Sequence, residues 1–244
     1  MLNLVQSLVQ IACACTLYIH SGSNALPADE SILTLQQALM SLSRRLYHCA
    51  KLDWSTNHDK PIWTQGMKRI LAINGSASTN SANQRLIESI AALTSDFFTL
   101  TVFAGLKTLP HFDPELSIEN APEAIVALRQ AIQSTDGIII CTPEYVFSIP
   151  SGLKNLIEWC VSTTVFTNKP TGIITASASG VRGHEELQLI MQTVMARFNP
   201  DTILLIQGVK GKVDQQGKII DEKTKEELSR FIQAFRLLTN LGNS

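Results

Sequence analysis

The sequence predicts a doubly wound α/β fold, a parallel sheet covered by helices on both faces, and three observations carry that expectation. From Lys68 onward, five short apolar runs alternate with five helical patterns. Such alternation requires right-handed crossovers that return over the sheet, so the strands run parallel. The run Asp136-Gly137-Ile138-Ile139-Ile140-Cys141 is almost unbroken in its apolar character, as expected of a strand buried on both faces. The first apolar run is followed by ten residues, Asn74 to Asn83, that are all small or polar and lead into a helical pattern.

Taken in order, Arg69 to Ile73 forms the first strand, and Ser81 to Leu93 a helix with Leu86, Ile90 and Leu93 on one face. Phe97 to Phe103 is the second strand, and Gly105 to Ala121 a long connection carrying Pro110 and Pro114. Pro122 opens a helix through Ala131, the position where proline's missing N–H costs nothing. After the third strand come a helix from Ser151 to Val161, a strand from Thr171 to Ala176, a helix from Glu185 to Phe198 and a strand from Thr202 to Gln207. Lys210 to Ile220 contains Gln216-Gly217, expected to be a hairpin turn. Glu222 to Leu238 is a closing amphipathic helix.

Residues 1–66 differ in character. Leu4 to Ile19 is apolar but broken by Gln6, Ser7 and Gln10, and lacks the basic flank of a secretory signal. Ile32 to Leu46 places Leu35, Ala38, Leu39, Leu42 and Leu46 at helical spacing, while Asp53 to Gly66, with Pro61, resembles a linker. Met67 directly precedes the first strand. Residues 1–66 are therefore expected to be an extension, partly helical or disordered, or upstream sequence from a misplaced start; residues 67–244 carry the chemistry.

A chain of 244 residues with 45% hydrophobic content has ample material for one core plus an appendage. A net charge of −1, with Lys and Glu intermixed, gives no basic stripe for nucleic acid. The five cysteines, Cys13, Cys15, Cys49, Cys141 and Cys160, are odd in number and lack Cys-x-x-Cys spacing. Neither a disulfide framework nor a zinc site follows, and a reducing, cytoplasmic setting is the simpler expectation. His111 and His184 stand apart from other ligand-type residues, so no metal site is expected. No stretch approaches the roughly 20 apolar residues that span a bilayer.

In doubly wound sheets, ligands bind beyond the carboxyl ends of the strands at the switch point. That rule singles out three loops on one rim: Gly75 to Asn83, Thr142 to Pro150, and Ser177 to Gly183. The first leads into a helix N-terminus, whose unpaired N–H groups and positive dipole end favour an anion. Gly75 allows close approach, Ser76, Ser78, Thr79 and Ser81 supply hydroxyls, and Asn83 supplies an amide. An ordinary strand-to-helix turn has the same composition. The loop is neither a P-loop nor a Gly-x-Gly-x-x-Gly fingerprint. The middle loop sets Tyr145 and Phe147 at a strand end between Pro143 and Pro150, a stiff edge suited to a flat, heteroatom-rich ring. The two aromatics also suit a dimer contact. Cys141 reads as a small core residue, and Glu144 as a hydrogen-bonding or interface residue.

The Gly75-Ser76 to Ser81-x-Asn83 loop, followed by Thr142-Pro143-Glu144-Tyr145, Ser148-Ile149-Pro150 and Leu153-Lys154-Asn155, resembles the NADPH-dependent FMN reductase family over Met67 to Leu241. The resemblance implies a flavodoxin-like fold with strand order 2-1-3-4-5, bound FMN, and NADPH or NADH as co-substrate. It implies hydride transfer through flavin N5 in a ping-pong cycle, to a quinone, azo dye, chromate or free flavin, by a homodimer or homotetramer. By position, Ser76, Ser78, Ser81 and Asn83 would meet the phosphate and ribityl chain. Pro143, Glu144, Tyr145, Val146, Ser177, Ser179 and Gly180 would meet the flavin, and no side chain acts as a catalytic acid, base or nucleophile. Two positions depart from the family pattern. Ser78 stands where an Arg is usual, which implies a phosphate held without a nearby guanidinium, and Val146 stands where Asn is common. The alternatives are a flavodoxin-like electron carrier, which the near-zero net charge disfavours, and a non-flavin binding module or phosphoesterase on the same fold.

Overall fold

The computed structural model describes residues 66–103, 105–214 and 217–241. All but the last residue of the expected N-terminal extension, and the Gln216 half of the expected hairpin turn, lie outside them. The strands are β1 (Lys68–Asn74), β2 (Phe98–Phe103), β3 (Gly137–Thr142), β4 (Thr171–Ser177) and β5 (Ile203–Gln207). The helices are α1 (Ala82–Thr94), α2 (Pro114–Glu119), α3 (Glu123–Gln133), α4 (Ser151–Cys160), α5 (Val181–Thr193) and α6 (Glu222–Asn240).

The strands form one five-stranded sheet in the order β2-β1-β3-β4-β5, with every neighbouring pair parallel. Register is continuous across the middle: Ile73 stands opposite Phe103 on one side and Ile140 on the other, and Cys141 opposite Ile174. Alternation along each strand sends residues to two separate cores. Ile70, Ala72, Ile139 and Ile174 pack with Leu86 and Ile90 of α1 and Phe231 and Phe235 of α6. Leu71, Ile73, Ile138, Ile140 and Ile173 pack with Leu128 of α3, Leu153 and Leu156 of α4, and Leu187 and Met191 of α5. Each of the Leu, Ile, Phe and Met side chains among them contributes about 1.5–3 kcal/mol by leaving water. All six residues of β3 are buried, which explains the nearly unbroken apolar run.

The structure departs most from the sequence expectation in three places. The long connection after β2 contains α2, capped by Asp113, whose side chain accepts from Glu115 N, with Pro114 at the first helical position. Helix α5 starts at Val181 rather than Glu185 and stops at Thr193 rather than Phe198. It begins early because Gly180 takes the left-handed conformation at φ 85°. It ends early because Met195 does so at φ 58°, after which Arg197 bridges to Pro170 at the start of β4. The 3-10 turn Pro200–Thr202, held by a capping box from Asn199, takes Thr202 out of β5. In the expected hairpin, Val213 and Ile219 form an antiparallel bridge and Gly217 has φ 86°.

Candidate functional site

The chain leaves β1 for β2 on one side and returns to β3 on the other, so the switch point lies between the carboxyl ends of β1 and β3. At the end of β1, Asn74 organises the first loop. Its Nδ2 donates to Gln84 Oε1 at 3.0 Å and its Oδ1 accepts from Ser76 N at 3.0 Å. Ser76 Oγ accepts from Ser78 N at 3.2 Å, and Ser81, the N-cap of α1, accepts from Gln84 N at 3.0 Å. The amides of Ala77, Thr79, Asn80, Ala82 and Asn83 donate to no acceptor among the described residues. No acidic residue stands in the first turn of α1. The result is a set of N–H donors at the positive end of a helix dipole.

Gly75 lets this loop press against β3. A Cβ there would lie 2.2 Å from Thr142 Oγ1, so only glycine fits.

The middle loop folds as a tight hairpin. Tyr145 N donates to Ser148 O at 2.9 Å and Ser148 N to Tyr145 O at 3.0 Å. Val146 and Phe147 have φ 52° and 61°, the positive values of a type I′ turn, and they are 94% and 76% exposed. Two contacts join the loops across the rim. Tyr145 Oη lies 3.3 Å from Ser76 Oγ, linking the middle loop to the first. The Glu144 carboxylate accepts from Gly180 N at 3.2 Å and Gly183 N at 2.8 Å, linking it to the last. Ile149 N donates to Glu186 Oε2 at 3.2 Å, a further tie to α5.

Under the last loop, His184 Nδ1 is hydrogen-bonded to Thr175 Oγ1 at 2.8 Å, with Thr175 fully buried on β4. Burial pushes the imidazole pKa down, and the negative charge of Glu185 only partly opposes this.

The structure gathers the sequence-selected residues on one rim and sets them in different surroundings. Ser76 and Tyr145 meet between the first two loops, and Ser78, exposed, lies beside them. The hydroxyl of Ser81 is used as a helix cap. Asn83 is buried, its amide donating to Ala176 O at 3.1 Å and its Oδ1 accepting the Cys141 thiol at 3.3 Å. Ser81 and Asn83 thus set the start of α1 against the sheet. Pro143 is buried at the end of β3, Val146 is at the exposed hairpin tip, and the Glu144 side chain is turned to α5. Ser177 is half-buried at the end of β4, Ser179 is exposed, and the Gly180 amide is taken by Glu144. The sequence pattern did not single out Asn74 and Gln84, which brace the loop, nor the His184–Thr175 pair. A polar residue closing an apolar strand was the available signal for Asn74.

Cys141 and Cys160 are buried thiols whose pKa burial raises, to about 12 for Cys160, so both remain protonated. Trp159 is fully buried and donates from Nε1 to Pro110 O at 2.8 Å. Among the described residues, no group of three His, Cys, Asp or Glu is placed to share a metal ion. None of their helices is long and apolar enough to cross a membrane.

A five-stranded parallel sheet of order 2-1-3-4-5, with a helix N-terminus carrying free amides and a proline-flanked aromatic hairpin at its switch point, defines a flavodoxin-like α/β protein. The chain belongs to the NADPH-dependent FMN reductase family, which it matches over residues 68–209, more than half its length. Membership places it among the oxidoreductases. It is 26% identical over 176 residues to an NAD(P)H-dependent FMN reductase of Pseudomonas aeruginosa, covering 69% of this chain and 94% of the relative. It is 30% identical over 178 residues to the NADH:(hydroxy)cinnamate reductase subunit CrdA of Vibrio ruber, covering 70% and 87%. A quinone reductase of Escherichia coli is 27% identical over 177 residues, covering 68% and 93%. The fold matches that of FerB, a flavoenzyme NAD(P)H:(acceptor) oxidoreductase of Paracoccus denitrificans, with TM-score 0.62 at 24% identity over 72% of this chain and 98% of that one.

Proposed function

We propose that the chain binds FMN in the switch-point crevice and passes reducing equivalents from NADH or NADPH to quinone-like acceptors in a ping-pong cycle. The observation that carries this is the pair of links, Ser76–Tyr145 and Glu144–Gly180/Gly183, that draws three strand-end loops into one rim. The donor set fits the cofactor: the uncommitted amides of Ala77, Thr79, Asn80, Ala82 and Asn83 suit a phosphate dianion, and no carboxylate of the first turn of α1 opposes it. FMN held there would supply the redox chemistry, hydride transfer between nicotinamide and acceptor.

The chain's own residues bind and orient. Ser76, Ser78 and the N-terminal amides of α1 hold the phosphate end, while Pro143, Tyr145, Val146 and the backbone of 177–180 line the ring. Ser81, Asn83 and Glu144 act mainly by fixing those loops. Quinone-like acceptors are favoured because a 2-hydroxy-1,4-benzoquinone reductase of Burkholderia sp and an NADPH:quinone oxidoreductase of Arabidopsis thaliana, each 28% identical, stand beside the E. coli quinone reductase among the relatives. Azo dyes, chromate and free flavin are further acceptors to screen. The chemistry is confined to residues 67–244, and the exposed Phe147 hairpin suits a homodimer or homotetramer contact.

The test is a visible spectrum followed by an anaerobic addition of NADPH. The expected protein is yellow and bleaches within seconds, and a quinone then restores the colour. A colourless preparation that refuses added FMN overturns the proposal. A yellow one that stays oxidised is an electron carrier.

A further inference from the structure

We propose that Arg85 supplies the cationic charge for the phosphate end of the flavin site and sets the preference for FMN over unphosphorylated flavin; this rests on the flavin reading given under Proposed function. The first loop, 74–83, contains no cationic residue of its own. A dianion held by amides and hydroxyls alone lacks a full countercharge.

Arg85 lies in the first turn of α1, where long side chains lean back toward the helix start. Its Nη1 donates to both the backbone oxygen of Asn80 at 3.3 Å and Asn80 Oδ1 at 3.1 Å. The guanidinium is thereby carried from the helix back to the loop that bears the uncommitted amides.

Two further observations indicate that its charge is not spent elsewhere. None of the four ion pairs among the described residues includes Arg85. Glu88, one turn further along α1, is engaged by Gln84 Nε2 at 2.9 Å. Among the described residues, Arg85 Nε, like Arg197 Nε, is buried without a hydrogen-bond partner, so of its nitrogens only Nη1 is engaged there, and by neutral oxygens of Asn80. Its fork-shaped donors match phosphate oxygens, whereas an uncharged flavin lacking the phosphate gains nothing from them.

The test measures dissociation constants of FMN and riboflavin for the full chain and for Arg85→Gln, Arg85→Met and Arg85→Lys, by flavin fluorescence quenching. Thermal melts identify the folded variants. R85Q is expected to weaken FMN binding on the order of tenfold, as the loss of one charge-assisted hydrogen bond does, and to leave riboflavin unchanged. R85M removes the same charge and takes the place of R85Q should that variant not fold, while R85K is expected to retain most of the preference. Raised salt should narrow the gap between wild type and R85Q. An equal loss for both flavins, or unchanged FMN binding in either charge-removed variant that folds, overturns the role of Arg85 alone. Wild-type protein that binds neither flavin overturns the flavin reading and this role together.

Discussion

Glu144 Oε2 accepts the backbone N–H of Gly183 at 2.8 Å, while its other oxygen takes the N–H of Gly180. Helix α5 has no side-chain cap of its own, because its N-cap is Gly180. A carboxylate from the preceding strand-end loop does that work, placing a negative charge at the positive end of the helix. A Cβ on Gly183 would stand 3.3 Å from Glu144 Cγ, so the absence of a side chain there admits the contact.

Glu144→Gln turns an amide NH₂ toward one of those N–H groups and removes the charge. The expected loss is about 1–2 kcal/mol, or several degrees in melting temperature. Flavin affinity should fall in parallel, because the middle and last loops are no longer held at a fixed spacing. A melting curve and flavin titration that both match wild type would show that the bridge does not hold the rim.

Val146→Asn is expected to stabilise the protein. A β-branched residue at φ 52° is strained, and Asn tolerates that region far better. The gain should be about 1 kcal/mol in urea unfolding, the usual cost of a left-handed residue. Because Val146 is 94% exposed, little apolar packing is lost in the exchange. A destabilised variant would mean that Val146 is covered in the working assembly.

Gly75→Ala should be among the most damaging single-methyl additions at the site. The new Cβ meets Thr142 Oγ1 at 2.2 Å and Thr142 Cβ at 2.6 Å, and Thr142 is fully buried at the end of β3. Separating the strand ends costs about 1–3 kcal/mol, the usual range for overpacking. It also shifts the first loop away from Tyr145, so FMN affinity should fall. Wild-type stability together with wild-type affinity would show that the two loops have room to part.

The sheet was legible because its central strands are buried on both faces, and Ile138-Ile139-Ile140 has no other use. The three-loop rim followed from the switch-point rule. What the sequence hid were contacts that leave no periodic trace. Asp113-Pro114 is a helix start, yet one followed by too few residues to show a period. The early start of α5 depends on Gly180 being left-handed and on a cap from Glu144, a residue 36 positions earlier than Gly180. Ser81 and Asn83 stand out as ligand groups by type, and their contacts to Gln84 N and Ala176 O, which fix the start of α1, leave no trace in the sequence.

His184 gives the stability a pH dependence whose sign can be worked out. Burial lowers the folded-state pKa below the ordinary 6.5, with Glu185 partly opposing. In the window between the two values the unfolded chain binds the proton and the folded chain does not, so stability rises with pH there. The contribution is therefore present above about pH 6.5 and is lost as pH falls from there through the folded value. His184→Asn, which removes the titrating group, should flatten the fall in urea midpoint between about pH 7 and pH 5 relative to wild type. Thr175→Val removes the hydroxyl partner at 2.8 Å but leaves the imidazole in place, so it should lower the midpoint at every pH and keep the slope. Identical slopes in wild type and His184→Asn would assign the acid sensitivity to carboxylates elsewhere in the chain.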